Sequence, residues 1–450
     1  MWVSINERGR MMPKKDPKLI RLGEFVKEEL GDDGFEPDFG LFYSIFRPRL
    51  EEISDAREQW KIKHVLSEII AIVFFAVLCN ENEWVAIEDF AYDMEDDLRK
   101  YLTLPGGIPS HDTIARVFSL IDESELERML VDVLLDIIVR ATKDDNLHLY
   151  TNEELGIAVD DIIAVDGKET RGTAKRGSEN ACESRNMNNL NVQSTEYGIT
   201  LSSTRISEKS NEIPEAQRVL KKMNLKGTVV TADALNTQKD TARVIVESKG
   251  DYCLALKSNH KLIHAEIGDY FDKDTLAGLR KQSLCYRKET EESSGKKVMR
   301  EYYISGDIEW FADKSKWMKL KSIGYEKKTT KNMKTGDKSI EERYFLCSFP
   351  PDAELFAICV RRHWHVENLL HWVLDVAFRQ DYLRTKNKTA MNNLGHVQRF
   401  VLSILKILKS YYRNKSFKRM REHIGRKFNE QLPVIFSALK ILYDKGRFNS

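Results

Sequence analysis

Two short apolar runs constrain this chain most. Ile162-Ile163-Ala164-Val165 closes on Asp166-Gly167-Lys168, and Thr228-Val229-Val230-Thr231-Ala232 closes on Asp233-Ala234. Apolar runs this short, ending in aspartate and turn formers, predict buried strands. Asp251 to Lys257 predicts a third. Ile213 to Met223 and Thr237 to Ser248 show helical spacing between them. Strands alternating with helices give an α/β sheet covered by helices. Asp166 and Asp233 then sit at C-terminal strand ends, where such sheets present ligands and catalytic groups. One aspartate there is commonly a cap or turn former. Two at matching ends, with an acidic helix downstream, point to a divalent cation, because hard cations such as Mg²⁺ take oxygen ligands.

The rest of the chain divides around this core. Residues 1–40 form a polar N-terminal extension, and 41–150 a helical domain. Lys61 to Cys79 and Trp84 to Tyr101 are predicted helices, followed by a turn at Pro105-Gly106-Gly107. Ser110 is placed to cap a helix through Phe118, and another helix runs from Ser124 to Arg140. Glu81 to Asp97 carries eight acids and no base, a poor surface for DNA. The core's first part spans 155–274, with a turn at Tyr197-Gly198-Ile199 between two strand-like runs. Residues 275–347 break the rhythm with strand-like pieces at Val298 to Ser305, Leu320 to Lys327 and Arg343 to Ser348, and read as a β-rich insertion. Residues 348–390 return to the core as one helix, Asp352 to Phe378. Residues 391–450 form a helical basic C-terminal region.

The late helix carries His363, Glu367, His371 and Asp375 at spacings of four, so neighbours share a face. Trp364, Leu374 and Phe378 are expected on its core side. A solvated polar stripe is the plain alternative, yet histidines and a glutamate within an apolar helix are costly to bury without a role. A zinc-protease motif is excluded, since Val366 and Leu370 occupy the places its two histidines need. His363, His365 and His371 include no pair four apart. Neither a nucleophile elbow nor a phosphate-binding Gly-rich loop is visible.

Composition removes other classes. Of 450 residues, 42% are hydrophobic and 31% charged, with 10 prolines and 23 glycines, which excludes collagen-like, low-complexity and largely disordered chains. Net charge is +1, so any nucleic-acid surface must come from segregated charge. Arg379 to Lys427 supplies it, with 14 Lys and Arg against two acids and Tyr411, Tyr412 and Phe417 interleaved. The six cysteines, Cys182 among them, form no CxxC pair, which argues against a zinc ribbon or disulfide framework and for reduced thiols inside the cell. The start of the chain shows no signal-peptide pattern. The most apolar stretch, Ile69 to Cys79, falls short of the ~20 residues that span a bilayer. No membrane partner and a cytoplasmic location are expected.

Taken in order, these residues resemble a family. Gly107-Ile108-Pro109-Ser110-His111-Asp112-Thr113 with Arg116-Val117-Phe118, Val165-Asp166-Gly167-Lys168 with Arg171-Gly172, and Lys209-Ser210-Asn211-Glu212-Ile213 come first. Thr231-Ala232-Asp233-Ala234 with Gln238-Lys239, Asp251-Tyr252 through Lys257, and His363-Trp364 with Glu367-Asn368, Leu370-His371-Trp372 and Leu374-Asp375-Val376 follow. Together they resemble an insertion-sequence DDE transposase of the H-repeat-associated group. The sequence departs from that pattern at Gln380-Asp381, at Asn191-Val192-Gln193 and at Lys257-Ser258-Asn259-His260. It also lacks the tyrosine-arginine-glutamate-lysine signature of related transposases.

The resemblance implies an RNase H-like catalytic core interrupted by the β-rich insertion, with Asp166, Asp233 and Glu367 as catalytic, metal-binding residues. Two Mg²⁺ or Mn²⁺ ions are expected as cofactors. His371 and Asp375 are expected behind the ligands, orienting Glu367. Lys257, Arg361, Arg413, Lys415, Lys418 and Arg419 are expected on DNA. The implied reaction is cleavage at element ends followed by attack of the freed 3′-hydroxyl on target DNA. The implied partners are double-stranded DNA, as terminal inverted repeats and target, and further copies of the chain in a synaptic dimer or larger assembly on the nucleoid. A catalytically inactive DNA-binding protein of the same fold, or a two-metal nuclease without strand transfer, remains open at this point.

Overall fold

The computed structural model describes residues 18–31, 39–142, 148–174, 185–207, 211–364 and 366–448. Cys182, Lys209, Ser210 and His365 lie outside the described residues, as does most of the N-terminal extension.

The chain opens with helices: α1 (Lys18–Leu30), α2 (Arg47–Glu51), α3 (Leu66–Leu78), α4 (Trp84–Asp93), α5 (Glu95–Leu98), α6 (His111–Phe118) and α7 (Glu123–Thr142). Helix α3 starts later than its sequence suggests. Val65 is extended, and every residue from Leu66 to Leu78 is buried, as an all-round apolar helix must be. The predicted helix from Trp84 to Tyr101 breaks at Met94 into α4 and α5. Ser110 caps α6, its hydroxyl accepting from the Thr113 amide.

A small hairpin follows, β1 (Tyr150–Asn152) and β2 (Ile157–Val159). Then β3 (Asp161–Thr170), β4 (Met187–Ser194), β5 (Thr200–Arg205), α8 (Glu212–Lys221), β6 (Thr228–Ala232), α9 (Lys239–Glu247) and β7 (Asp251–Leu256) build the core. Strands β3, β4 and β5 pair antiparallel; β6 runs parallel to β3, and β7 parallel to β6.

The next segment begins with helices α10 (Lys261–Tyr270) and α11 (Lys273–Leu279). It continues as β8 (Tyr286–Ser293), β9 (Lys296–Ser305), β10 (Ser322–Asn332) and β11 (Lys338–Cys347). These strands do not form a sheet of their own. β11 pairs antiparallel with β7, giving one nine-stranded mixed sheet in the order β5-β4-β3-β6-β7-β11-β10-β9-β8. Strand β8 reads as polar because Tyr286 to Ser293 is largely solvent-facing, so apolar runs alone miss it.

Helix α12 (Ala353–His363) lies on one sheet face. Its Phe356, Ala357 and Val360 pack on Ile162, Val229, Cys253, Tyr302 and Phe345. Helices α8 and α9 cover the other face through Ala216, Leu220, Ala242 and Ile245. After α12 comes a wide π-type turn, Glu367–His371, then α13 (Trp372–Val376). Helices α14 (Lys388–Ile407), α15 (Phe417–Arg426) and α16 (Phe428–Phe448) rejoin the N-terminal helices in one apolar core. Among the described residues no helix is long and apolar enough to cross a membrane. The five described cysteines are buried and free.

Candidate active site

Parallel register sets Asp166 beside Asp233. Val165 is paired with Ala232, and each aspartate follows its partner strand residue directly. Strand alternation sends both side chains to the face that carries α12. The Asp166 carboxylate accepts from the Gly167 amide at 3.0 Å. Asp233 Oδ1 accepts from both the backbone and the side-chain amide of Asn236, each at 3.1 Å.

Asp352 fixes the start of α12. Its Oδ1 accepts from the Glu354 and Leu355 amides, and its Oδ2 from Tyr150 and Asn152 of the β1–β2 hairpin. The helix then delivers Glu367 to Asp166 through the π-type turn. Atoms of Asp166, Glu367 and His371 lie within 4.8 Å of one another. His371 Nδ1 is 3.3 Å from Glu367 Oε2 and 3.6 Å from Asp166 Oδ2. Its Nε2 is 3.2 Å from the Asn191 side-chain nitrogen. If that amide nitrogen donates to Nε2, the ring proton sits on Nδ1 and faces the two carboxylates.

The electrostatics follow from this crowding. Burial first, then the charges of Asp233 and Glu367, push the Asp166 carboxyl up to about 7. The hydrogen bond from His371 holds Glu367 below its usual range, and burial lowers His371. Glu212, from the start of α8, is raised by burial and by the charge of Asp233. Carboxylates that resist ionising together form a site that a cation would relieve.

The remaining expected residues are distributed differently. Asp375 does not contact Glu367 through a hydrogen bond; Lys168 Nζ takes it at 2.7 and 2.9 Å. Lys168 is also 3.9 Å from Asp381, whose Oδ1 accepts from the Arg171 amide. His363 is half-buried, 3.2 Å from the Thr231 hydroxyl, and loss of solvent around its ring drives its pKa down to about 4. Trp364 is a correction: it ends α12 and is 42% exposed, with the Arg343 guanidinium over its ring, whereas Leu374 and Phe378 are buried as expected. The Arg361 guanidinium is engaged by Glu291 of β8 at 2.6 and 3.2 Å.

Lys257 is exposed and close enough to His363 to act on its charge. Arg413, Lys418 and Arg419 are exposed and Lys415 is half-buried, all around the turn into α15. The basic count of this region overstated its surface, because Arg399, Lys406 and Arg421 are buried.

Sequence reasoning did not single out Lys168, Asn191, Glu212 or Asn236 for the site. Lys168 stands two residues after Asp166, and Asn191 lies directly opposite Asp166 in the β3–β4 pairing. Glu212 follows Asn211, whose side chain caps α8; an acid at a capped helix start beside a core strand was the available signal.

A mixed sheet that sets two aspartates at adjacent strand ends, with a glutamate and a histidine brought to one of them from the segment after α12, defines a carboxylate-lined class of site. The family described as Transposase DDE domain matches residues 157–397, and the chain belongs to it. A second model, described as DDE_Tnp_1-associated, matches residues 48–133. The chain is 31% identical over 397 residues to "Putative transposase YncI" of Escherichia coli O157:H7, covering 87% of this chain and 95% of that protein. It is 28% identical over 371 residues to "H repeat-associated putative transposase YhhI" of Escherichia coli K12, covering 81% and 91%. It is also 44% identical over 73 residues to "Inactive transposase YbfQ" of the same strain, covering 16% of this chain and 87% of that protein.

Proposed function

We propose that this transposase cleaves DNA at the ends of its element and joins the freed 3′-hydroxyl to target DNA, with Asp166, Asp233 and Glu367 as the metal-binding carboxylates. The observation carrying this reading is that Asp166 lies with Glu367 and His371 inside 4.8 Å, while strand register sets Asp233 at the neighbouring strand end. The donor set is carboxylate oxygen with one imidazole nearby, which suits Mg²⁺ or Mn²⁺. Bound by these carboxylates, two such ions would supply activation of the attacking oxygen and stabilisation of the leaving one.

The chain's own residues do the positioning. Asp166 and Asp233 are fixed by parallel strand register. Glu367 is oriented by His371, which Asn191 holds in turn. Lys168 ties the strand of Asp166 to the helix of Glu367 through Asp375. The order β5-β4-β3-β6-β7, antiparallel then parallel, supports an RNase H-like core over 155–274 and 348–390, with 275–347 inserted between them. Exposed Trp364, Leu369 and Trp372 flank Glu367 and offer apolar surface to a DNA partner. Arg413, Lys415, Lys418 and Arg419 are proposed to contact phosphates, within a dimer or larger synaptic assembly.

The test is cleavage of a supercoiled donor carrying the inverted repeats that flank the gene, with Mg²⁺ or Mn²⁺. Asp166→Asn, Asp233→Asn and Glu367→Gln should each abolish cleavage and joining while leaving folding and end binding largely intact. A folded Asp166→Asn protein that cuts at the wild-type rate overturns the assignment.

A further inference from the structure

Asp166 and Asp233 point to the sheet face that α12 covers, and Glu367 reaches Asp166 there. Glu212 approaches from the opposite face. It opens α8, whose Ala216, Val219 and Leu220 pack against Ile163, Val165, Val230 and Ala232 on that other side. Strand alternation places Gly167 on the α8 side as well. A Cβ at Gly167 would lie 2.3 Å from Glu212 Oε1 and 2.8 Å from Oε2. The Glu212 carboxylate therefore occupies the space a side chain would fill. Gly167 is not among the glycines with positive φ, so its backbone does not demand glycine; the room it leaves does.

Asn236 joins the two sides. Its side-chain nitrogen is 3.1 Å from Asp233 Oδ1 and 3.5 Å from Glu212 Oε2. The residue is fully buried, and its side-chain oxygen has no hydrogen-bond partner. The nitrogen thus bridges the two carboxylates, and the buried amide oxygen beside it is left unpaired, which is unfavourable unless something else engages it. A first-turn glutamate interacting with its own helix dipole would explain neither the missing side chain at residue 167 nor the orphaned oxygen.

We propose that Glu212 is a fourth carboxylate ligand of the metal site, reaching the cation nearest Asp233 through the gap at Gly167. This rests on the reading of Asp166, Asp233 and Glu367 as metal ligands. Glu212 thus closes the site from the face the other three leave open, and Asn236 sets its position against Asp233.

The test is Mn²⁺ binding to the full chain by titration calorimetry, with no DNA present. Wild type, Glu212→Gln, Gly167→Ala and Asp166→Asn are compared, each checked for native circular dichroism. Glu212→Gln should weaken Mn²⁺ binding by at least about tenfold, the order seen when metal-site partners are removed. Gly167→Ala, which keeps Glu212 but crowds its carboxylate, should weaken it in the same direction. Wild-type Mn²⁺ affinity and stoichiometry in Glu212→Gln, with binding lost in Asp166→Asn, overturns the role of Glu212 alone. Unchanged binding in Asp166→Asn as well removes the underlying metal site, and this proposal with it.

Discussion

Lys168 and Asp375 form a clasp between strand and helix, with the Lys168 ammonium 2.7 Å from one carboxylate oxygen and 2.9 Å from the other. Lys168 is two residues from Asp166, and Asp375 is eight residues beyond Glu367. The clasp therefore ties the element carrying one proposed ligand to the element carrying another. Its Lys168 end is almost fully buried, at 5% side-chain exposure. Lys168→Met and Asp375→Asn should each lower metal-dependent cleavage about 10- to 100-fold, the scale of losing a group that orients a ligand. The double variant should be little worse than either single one, because both remove the same contact. Additive losses in cleavage rate would show that the two residues act separately.

The pH response of the metal-free protein should report Asp166. Its folded carboxyl is pushed up to about 7 by burial and by the neighbouring acids, above the unfolded value near 3.9. Between those values the folded chain keeps a proton that the unfolded chain has lost. Stability from this group thus falls as pH rises from about 4 to about 7, by on the order of a few kcal/mol. Asp166→Asn should melt higher than wild type at pH 8, and the gap should close near pH 5. Mg²⁺ should raise the wild-type Tm at pH 8 and leave the variant nearly unmoved. An equal gap at both pH values in thermal melts contradicts this.

Charge at the C-terminal region should divide by burial. Neutralising Arg413, Lys415, Lys418 and Arg419 together should weaken DNA binding and flatten its salt dependence, by about 0.9 in log–log slope per lost phosphate contact on duplex DNA. Binding isotherms at several salt concentrations read this directly. An unchanged slope would place these cations away from DNA.

Arg421 should behave in the opposite way. It is buried, donates to the Val77 carbonyl from two nitrogens at 2.8 and 2.6 Å, and donates to the Ala377 carbonyl at 2.6 Å. Those carbonyls lie at the ends of α3 and α13, where a cation also complements the helix dipoles. Arg421→Leu should cost roughly 2–5 kcal/mol, since each stranded carbonyl is worth about 1–3 kcal/mol. Urea denaturation should show this loss.

Much of the fold was legible. The runs ending at Asp166 and Asp233 became neighbouring parallel strands, because apolar β-branched runs followed by turn formers have few alternatives. The Ser110 cap was readable for the same local reason. What was not readable depended on partners far along the chain. Nothing near Arg361 announces Glu291, and nothing near Asp375 announces Lys168. The break after His363 and the wide turn at Glu367–His371 turned Trp364 outward, which a regular helical period does not foresee. The basic tail was misjudged in part because a count of cations carries no information about which ones point inward.

Strands β8 to β11 also bear on how the chain can be shortened. Tyr302 of β9 and Phe345 of β11 pack edge-on against Phe356 of α12, with ring centroids 6.0 and 5.2 Å apart, and Gly324 of β10 leaves room for the same ring. Much of the floor beneath the helix that leads to Glu367 is therefore laid by β9, β10 and β11. Cutting those strands out and rejoining Leu256 to α12 would expose β7 as an open edge and leave Phe356 over solvent. A trimmed version of this enzyme would need a replacement hydrophobic floor before it could hold its last carboxylate in place.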